Sequence, residues 1–228
     1  MIGPVDESTR ACFNLRLMTD TQSTYQSLIT TAKETALLAS ANTLFGWDER
    51  TQMPAKGTEH RSNQMSLISR LVHERATSPR IGEQLAELER SDLMKEPASD
   101  AATNIRELRR SYDRKVKLPA SLVEEMAKTE VLSQAAWVEA RKKSDYPTFR
   151  PWLEKTLALK KREAECVGYE GHPYNALLDE YEPHERVGDL NRVFQELRGP
   201  LVDLIARIGA SGRKAPRASA GRQSTTIR

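Results

Sequence analysis

The sequence predicts an all-α fold. Alternation of period two is almost absent from its 228 residues, while apolar spacings of three and four recur in nearly every segment. Caps and prolines stand where such helices would begin and end. A capping-box pattern, Thr19 followed by Gln22, starts the first helix near Asp20. Tyr25, Leu28, Ala32, Ala36 and Ala39 then share one face. Met65, Ile68 and Val72 form the stripe of a second helix after Thr58.

Ser78-Pro79 opens a third helix, because proline at the first helical position gives up a donor that would be unsatisfied anyway. Its inward face is Ile81, Leu85 and Leu88. Ala101, Ile105, Leu108, Tyr112 and Val116 follow, stopped at Leu118-Pro119, since a residue before proline avoids helical angles. The next stripe is Leu122, Met126, Thr129, Ala136, Trp137 and Ala140. Asp145-Tyr-Pro147 restarts the chain for Phe149, Leu153, Leu157 and Ala164, with Gly168 as C-terminal cap. A last pair of helices, broken at Gly199-Pro200, uses Leu190, Phe194 and Leu197, then Leu201, Leu204, Ile205 and Ile208. The count is seven or eight helices.

Three regions follow from this pattern. Residues 1–18 lack periodicity and are expected to be unstructured or a mis-assigned start. Residues 19–208 form the helical body. Residues 209–228 are expected to be a disordered basic tail, for such a stretch cannot bury enough apolar area to offset ~1–2 kcal/mol of chain entropy per residue. The tail also explains the net charge of +3. Without its five basic residues, 30 Lys and Arg face 32 Asp and Glu, so the body carries about −2. That balance argues against nucleic acid as a partner, because a binder concentrates positive charge on its folded surface. No apolar run reaches the ~18 residues of a membrane span, and two cysteines suit a reducing cytoplasm.

Candidate chemistry is sparse. A helical zinc site of the His-Glu-x-x-His type needs two imidazoles four residues apart on one face. His73-Glu74 and His184-Glu185 both begin that motif and both lack the second histidine. Each is read as a surface histidine, and no residue is assigned a metal or catalytic role. Cys166 falls near a helix C-terminus, the wrong end for an activated thiolate. The acidic run 179–182 reads as a solvated turn. The cations Arg106, Arg109, Arg110, Arg114, Lys115 and Lys117 read as a solvated helix face.

The segment Phe45–Gly57 stands out. It joins two helices with an aromatic, acids and two helix breakers, the kind of loop that lines a site on a rigid scaffold. Arg61 follows on the stripe of Met65 and Ile68, and an inward guanidinium needs a carboxylate. Asp48 is the expected partner, making Asp48–Arg61 a clamp for the loop. The alternative is an Arg61 that faces a groove and binds an anionic substrate group. Trp47, Asp48, Thr51, Met53 and Arg61 are thus the candidate groove-lining or loop-holding residues.

These same residues carry a resemblance. Trp47-Asp48, Thr51, Met53-Pro54, Gly57 and Arg61, continuing through Gln64, Leu67 and His73-Glu74, resemble the N-terminal signature of the carboxypeptidase Taq family. Trp137-Val-Glu-Ala-Arg141, Ser144-Asp145-Tyr146, Phe149, Pro151 and Leu153-Glu154-Lys155 resemble its next block, and Tyr174 to Pro183 the one after. The resemblance runs from about Thr19 to Ile208. It departs at His184, where the family pattern usually has glycine after Glu-Pro.

The resemblance implies a helical body divided by a deep substrate groove. It implies a cytosolic, homodimeric, zinc-dependent carboxypeptidase that releases C-terminal residues from peptides. Its zinc would sit on a His-Glu-x-x-His helix beyond the region matched here. That motif does not occur in this sequence. Without a metal, lowering the pKa of an attacking water from about 15.7 to about 7 leaves ~12 kcal/mol unmet. The expectation is therefore a truncated metallocarboxypeptidase that binds no zinc, is inactive alone, and exposes apolar stripes that invite association. A non-catalytic helical binding or scaffold protein is the alternative, and a nucleic-acid binder ranks last.

Overall fold

The computed structural model describes the backbone of residues 7–212 and the side chains of residues 20–212. Among these residues the regular elements are all helical: α1 (Glu7–Thr51), α2 (Thr58–Ala76), α3 (Pro79–Leu88), α4 (Asp100–Lys115), α5 (Ala120–Lys143), α6 (Tyr146–Val167), α7 (Tyr174–Leu178) and α8 (Val187–Ala210). Short 3₁₀ turns precede α2, at Ala55–Gly57, and α4, at Asp92–Met94. The chain divides into two compact units, the first ending at Tyr169 and the second beginning at Glu170.

In the first unit α1 packs on α2 and α3, α2 on α5, and α5 on α6. The core gathers Leu28 of α1, Ile81, Leu85 and Leu88 of α3, and Ile105 of α4. Tyr25, Leu93, Met94, Leu108 and Tyr112 close over it. Each fully buried aliphatic side chain is worth about 1.5–3 kcal/mol relative to exposure, so this cluster is the main cohesive element of its end of the bundle. Polar ties cross the same seam, with Gln84 Nε2 donating to Ser27 Oγ at 3.1 Å and Asn104 Nδ2 to Tyr25 Oη at 2.9 Å. The α3 stripe is buried as the spacing predicts.

The α2–α5 seam has a different composition. The buried residues of α2 are Ser62, Ser66 and His73, while Met65, Ile68 and Val72 are only half-buried. Small side chains let the two helices approach closely, and Ser66 Oγ donates to the Glu124 carbonyl of α5 at 3.2 Å. His73 is a buried residue of α2, not a surface histidine.

Several boundaries differ from the sequence expectation. Helix α1 begins at Glu7 and not near Asp20, because residues 7–19 contain no proline or glycine to prevent it. It also runs through Gly46 to Thr51, so the first half of the expected loop is helical. One glycine costs a helix only about 1 kcal/mol, and the effective stop is Pro54. Gly199-Pro200 does not divide α8. The residues from 191 to 210 are exposed, so a carbonyl that proline leaves without a donor is open to water, and the apolar stripe stays in phase across it. Trp137 is 45% exposed and not in the core. Of the expected tail, residues 209 and 210 close α8, and residues 213–228 lie outside the described residues, as do residues 1–6.

In the second unit Asn175 Oδ1 accepts the N–H of Val187 at 2.9 Å, tying α7 to the start of α8. Arg186 and Glu170 pair at 3.0 Å. The acidic segment 179–182 is a turn, where Asp179 Oδ1 accepts the His184 N–H at 3.1 Å.

Candidate functional site

The turn between α1 and α2 is built from backbone outward. Gln52 and Met53 both donate to the Asp48 carbonyl at 2.9 Å, ending α1 in a bifurcated bond. Pro54 then takes extended angles and leads into the 3₁₀ turn. Met53 folds over Gly57, where a Cβ would stand 3.1 Å from Met53 Cγ. Thr51 Oγ1 donates back to the Trp47 carbonyl at 2.8 Å.

Arg61, on the first turns of α2, reaches across this turn. Its Nη2 lies 2.6 Å from Asp48 Oδ2, its Nη1 donates to the Phe45 carbonyl at 2.7 Å, and its Nε donates to Gln64 Oε1 at 3.1 Å. The guanidinium also stands 5.1 Å from the centroid of the Phe45 ring. With 14% of the side chain exposed, every face of the charge is met by an acceptor or an aromatic ring.

Trp47 and Thr51 turn the other way, onto a cleft of about 650 Å³ between α1, α2 and α5. Asn42, Glu49 and Arg50 line it from α1, Met65 and Ser69 from α2, and Ala127, Glu130 and Gln134 from α5. Asn42 Nδ2 donates to Ser69 Oγ at 2.9 Å, while its buried Oδ1 has no partner within the protein. Burial raises the Glu49 carboxyl above the usual range; Glu130 adds to that, and Arg50 and Arg61 oppose it. Arg50 and Gln134 continue into a second cleft with Trp137 and Phe149, and these two aromatics border a third with Arg141, Asp145 and Tyr146. The result is one extended, open groove with exposed rings along it. The α5 wall was not legible as a site, because Trp137 and Ala136 fit a core stripe equally well. The run of serines 62, 66 and 69 on α2 is the signal that α5 approaches closely there.

The histidines do not fit a zinc centre. His60 and His73 lie on α2, one exposed and one buried; His172 Nδ1 accepts the Tyr174 N–H at 3.1 Å; His184 is in the turn before α8. Among the described residues, no group of three or more His, Cys, Asp or Glu converges on a point that could hold a metal. The cations of α4 and of the turn that follows it are largely engaged within the protein. Arg109 takes both oxygens of Glu89, at 2.8 and 3.1 Å, Arg114 reaches Glu163 at 3.4 Å, and Lys117 donates to the Val167 carbonyl at 2.8 Å. That is a set of interhelical ties, not the freely solvated face expected from the sequence. No described helix is long and apolar enough to cross a membrane.

Comparison with known proteins adds a consistent set of relatives. The family described as Carboxypeptidase Taq (M32) metallopeptidase matches residues 27–226. The thermostable carboxypeptidase 1 of Thermus thermophilus is 43% identical over 202 residues, which cover 85% of this chain and 40% of that protein. The Pyrococcus furiosus protein of the same name is 33% identical over 184 residues, 79% of this chain and 35% of that one. Among solved structures, the M32 carboxypeptidase of Deinococcus radiodurans superposes with a TM-score of 0.69 at 32% identity, covering 85% of this chain and 38% of that one. The Pyrococcus furiosus carboxypeptidase gives 0.66 at 31%, with 85% and 39% covered. The chain therefore spans about 40% or less of the length of these relatives.

Proposed function

The chain belongs to the carboxypeptidase Taq (M32) metallopeptidase family, and from that membership we propose that it forms the N-terminal, groove-bearing portion of a zinc-dependent peptide carboxypeptidase, without hydrolytic activity of its own. The observation that carries this reading is the 43% identity over 202 residues to a protein of which those residues make up 40%. The family chemistry needs a metal to activate water, and none of the four histidines here has a second histidine four residues away. What this portion contributes is a binding surface. Trp47 and Thr51 stand on the groove wall, while Asp48, Met53 and Arg61 hold the turn that presents them.

Incubating the chain with an unblocked peptide and equimolar zinc tests the reading. No stepwise loss of C-terminal residues is expected. Hydrolysis accompanied by one tightly held zinc, with both lost on chelation, overturns it.

The groove supports a second reading, a helical binding module that takes extended peptides without cutting them. Exposed rings at Trp47 and Trp137 offer stacking area, and Glu49 and Glu130 offer acceptors. Peptide binding by the isolated chain that Trp47→Ala weakens would favour this reading, provided no product appears.

A further inference from the structure

The groove leaves another cleft of the first unit without a role. It measures about 180 Å³ and is lined by α1, α2, α3 and α4. Its origin is in the sequence. Ala32, Ala36 and Ala39 of α1 and Ala76 of α2 stop at Cβ, and the space that larger side chains would fill stays open. Leu28 and Ile81, both buried, close its inner end with Leu108, while the exposed Lys115 stands at the outer one. An apolar cavity of about 150 Å³ is enough to take up benzene, so this cleft has room for one ring or a short branched chain.

One side of α4 supplies the polarity. Ser111 and Lys115 are four residues apart, so they share a face of the helix, and both line the cleft. Among the described residues Lys115 makes no ion pair and no side-chain hydrogen bond, whereas Arg109 and Arg114 of the same helix are paired with Glu89 and Glu163. Ser111 Oγ has no partner among them either, while the Thr35 hydroxyl is engaged on the Thr31 carbonyl at 2.7 Å. No Asp or Glu lines the cleft. Lys115 reaches solvent, yet the protein around its ammonium lowers its pKa from the usual lysine range by desolvation, with no carboxylate to offset the effect. An anion placed beside it would favour the charged form again.

Two donors at one end of an apolar cleft free of acids are complementary to one carboxylate on an apolar body. We propose that this cleft is a binding site for small apolar monocarboxylates of about one ring in size, the carboxylate bridging Ser111 Oγ and Lys115 Nζ and the body lying on Leu28, Ile81 and Leu108. A free amino acid is a poor ligand here, because its ammonium would lose water and gain no acceptor of opposite charge. The site uses none of the groove residues and stands or falls independently of the proposed function.

Calorimetric titration of the full chain with 3-phenylpropanoate provides the test. One site per chain is expected, with a Kd below about 1 mM for a ligand of about eleven heavy atoms. Lys115→Met keeps the apolar stem and drops the charge; it should weaken binding at least tenfold and leave the melting temperature close to that of the parent. Ala32→Leu fills the cleft and should abolish binding. L-Phenylalanine and 2-phenylethylamine should each bind at least tenfold more weakly than the acid. Weaker binding by the parent chain overturns the inference, as does a smaller loss in Lys115→Met or a smaller preference over either amine. Binding that weakens as the chain is concentrated would mean that a second copy fills the cleft, and overturns it too. Should Ala32→Leu fail to fold, Lys115→Met and the two amines decide the matter alone.

Discussion

Asp48 and Arg61 meet across the α1–α2 turn at 2.6 Å, joining the last turns of one helix to the first turns of the next. Arg61 is much the more buried of the two, so the pair is asymmetric: losing the carboxylate strands a charge, whereas losing the arginine strands only a half-exposed acid. Asp48→Asn should destabilise the first unit by about 1–3 kcal/mol, the range for a lost charge-assisted bond, as read by urea denaturation. Arg61→Lys should cost a comparable amount, because an ammonium cannot reach Phe45, Asp48 and Gln64 together. The swapped double variant, Asp48→Arg with Arg61→Asp, should recover part of the loss; recovery of nothing would mean that the two residues act independently.

Two helical glycines should respond in opposite directions. At Gly46, inside α1, an added Cβ meets nothing within 4 Å, so Gly46→Ala should stabilise by about 1 kcal/mol through helix propensity alone. At Gly82, inside α3, the same methyl would stand 2.6 Å from Tyr112 Oη and 2.9 Å from its Cζ. Tyr112 packs against the core cluster, so the ring must shift on that core for the methyl to fit. Gly82→Ala should therefore destabilise by about 1–3 kcal/mol, the usual penalty of overpacking. Thermal melts should separate the two variants by several degrees, the first above the parent and the second below it.

The contrast shows what the sequence discloses. The helical class, the α3 stripe, Ser78-Pro79 and the restart at Asp145-Tyr-Pro147 were legible because each rests on local geometry. The Asp48–Arg61 distance was legible because an arginine on an apolar stripe demands a carboxylate nearby. The α2–α5 seam was not, since the buried residues of α2 are Ser62, Ser66 and His73, and small or polar side chains give no hydrophobic period. Trp137 was misplaced for the converse reason, that an aromatic on a helical stripe reads the same whether it fills a core or walls a groove. The continuity of α1 through Gly46 and of α8 through Pro200 depended on the modest cost of a single breaker in a long helix.

Glu49 gives the groove a pH signature. Its carboxyl is raised from the ordinary value of 4.5, chiefly by burial, so in the window just above 4.5 the folded protein holds a proton that the unfolded chain has released. Stability must then fall as pH rises through that window, since folding there favours the protonated form. Other carboxylates held by cations act in the opposite sense, so the clean measurement is a difference. Glu49→Gln should remove the downward contribution and gain on the parent as pH increases from about 4.5 towards neutrality. Urea midpoints for both proteins across that range check the sign; parallel curves would place Glu49 in ordinary solvent.

His184 offers the sharpest backbone test. Its φ of 71° lies in the left-handed region, and its N–H is held by Asp179 Oδ1 in the turn before α8. For a residue with a Cβ this conformation costs roughly 1–2 kcal/mol, which glycine avoids. Glycine gives back about 0.5–1 kcal/mol through its freer unfolded chain. The net expectation for His184→Gly is a gain of about 0.5–1 kcal/mol in the second unit, consistent with the glycine that the family pattern carries at this point. His184→Ala keeps the Cβ and should gain nothing, and His184→Val, branched at that carbon, should lose stability. Hydrogen exchange of the Val187 amide, whose bond to Asn175 depends on the same turn, reports the change locally. Slower exchange in His184→Gly and faster exchange in His184→Val are expected; the reverse order would mean that the imidazole itself, and not the backbone angle, holds the turn.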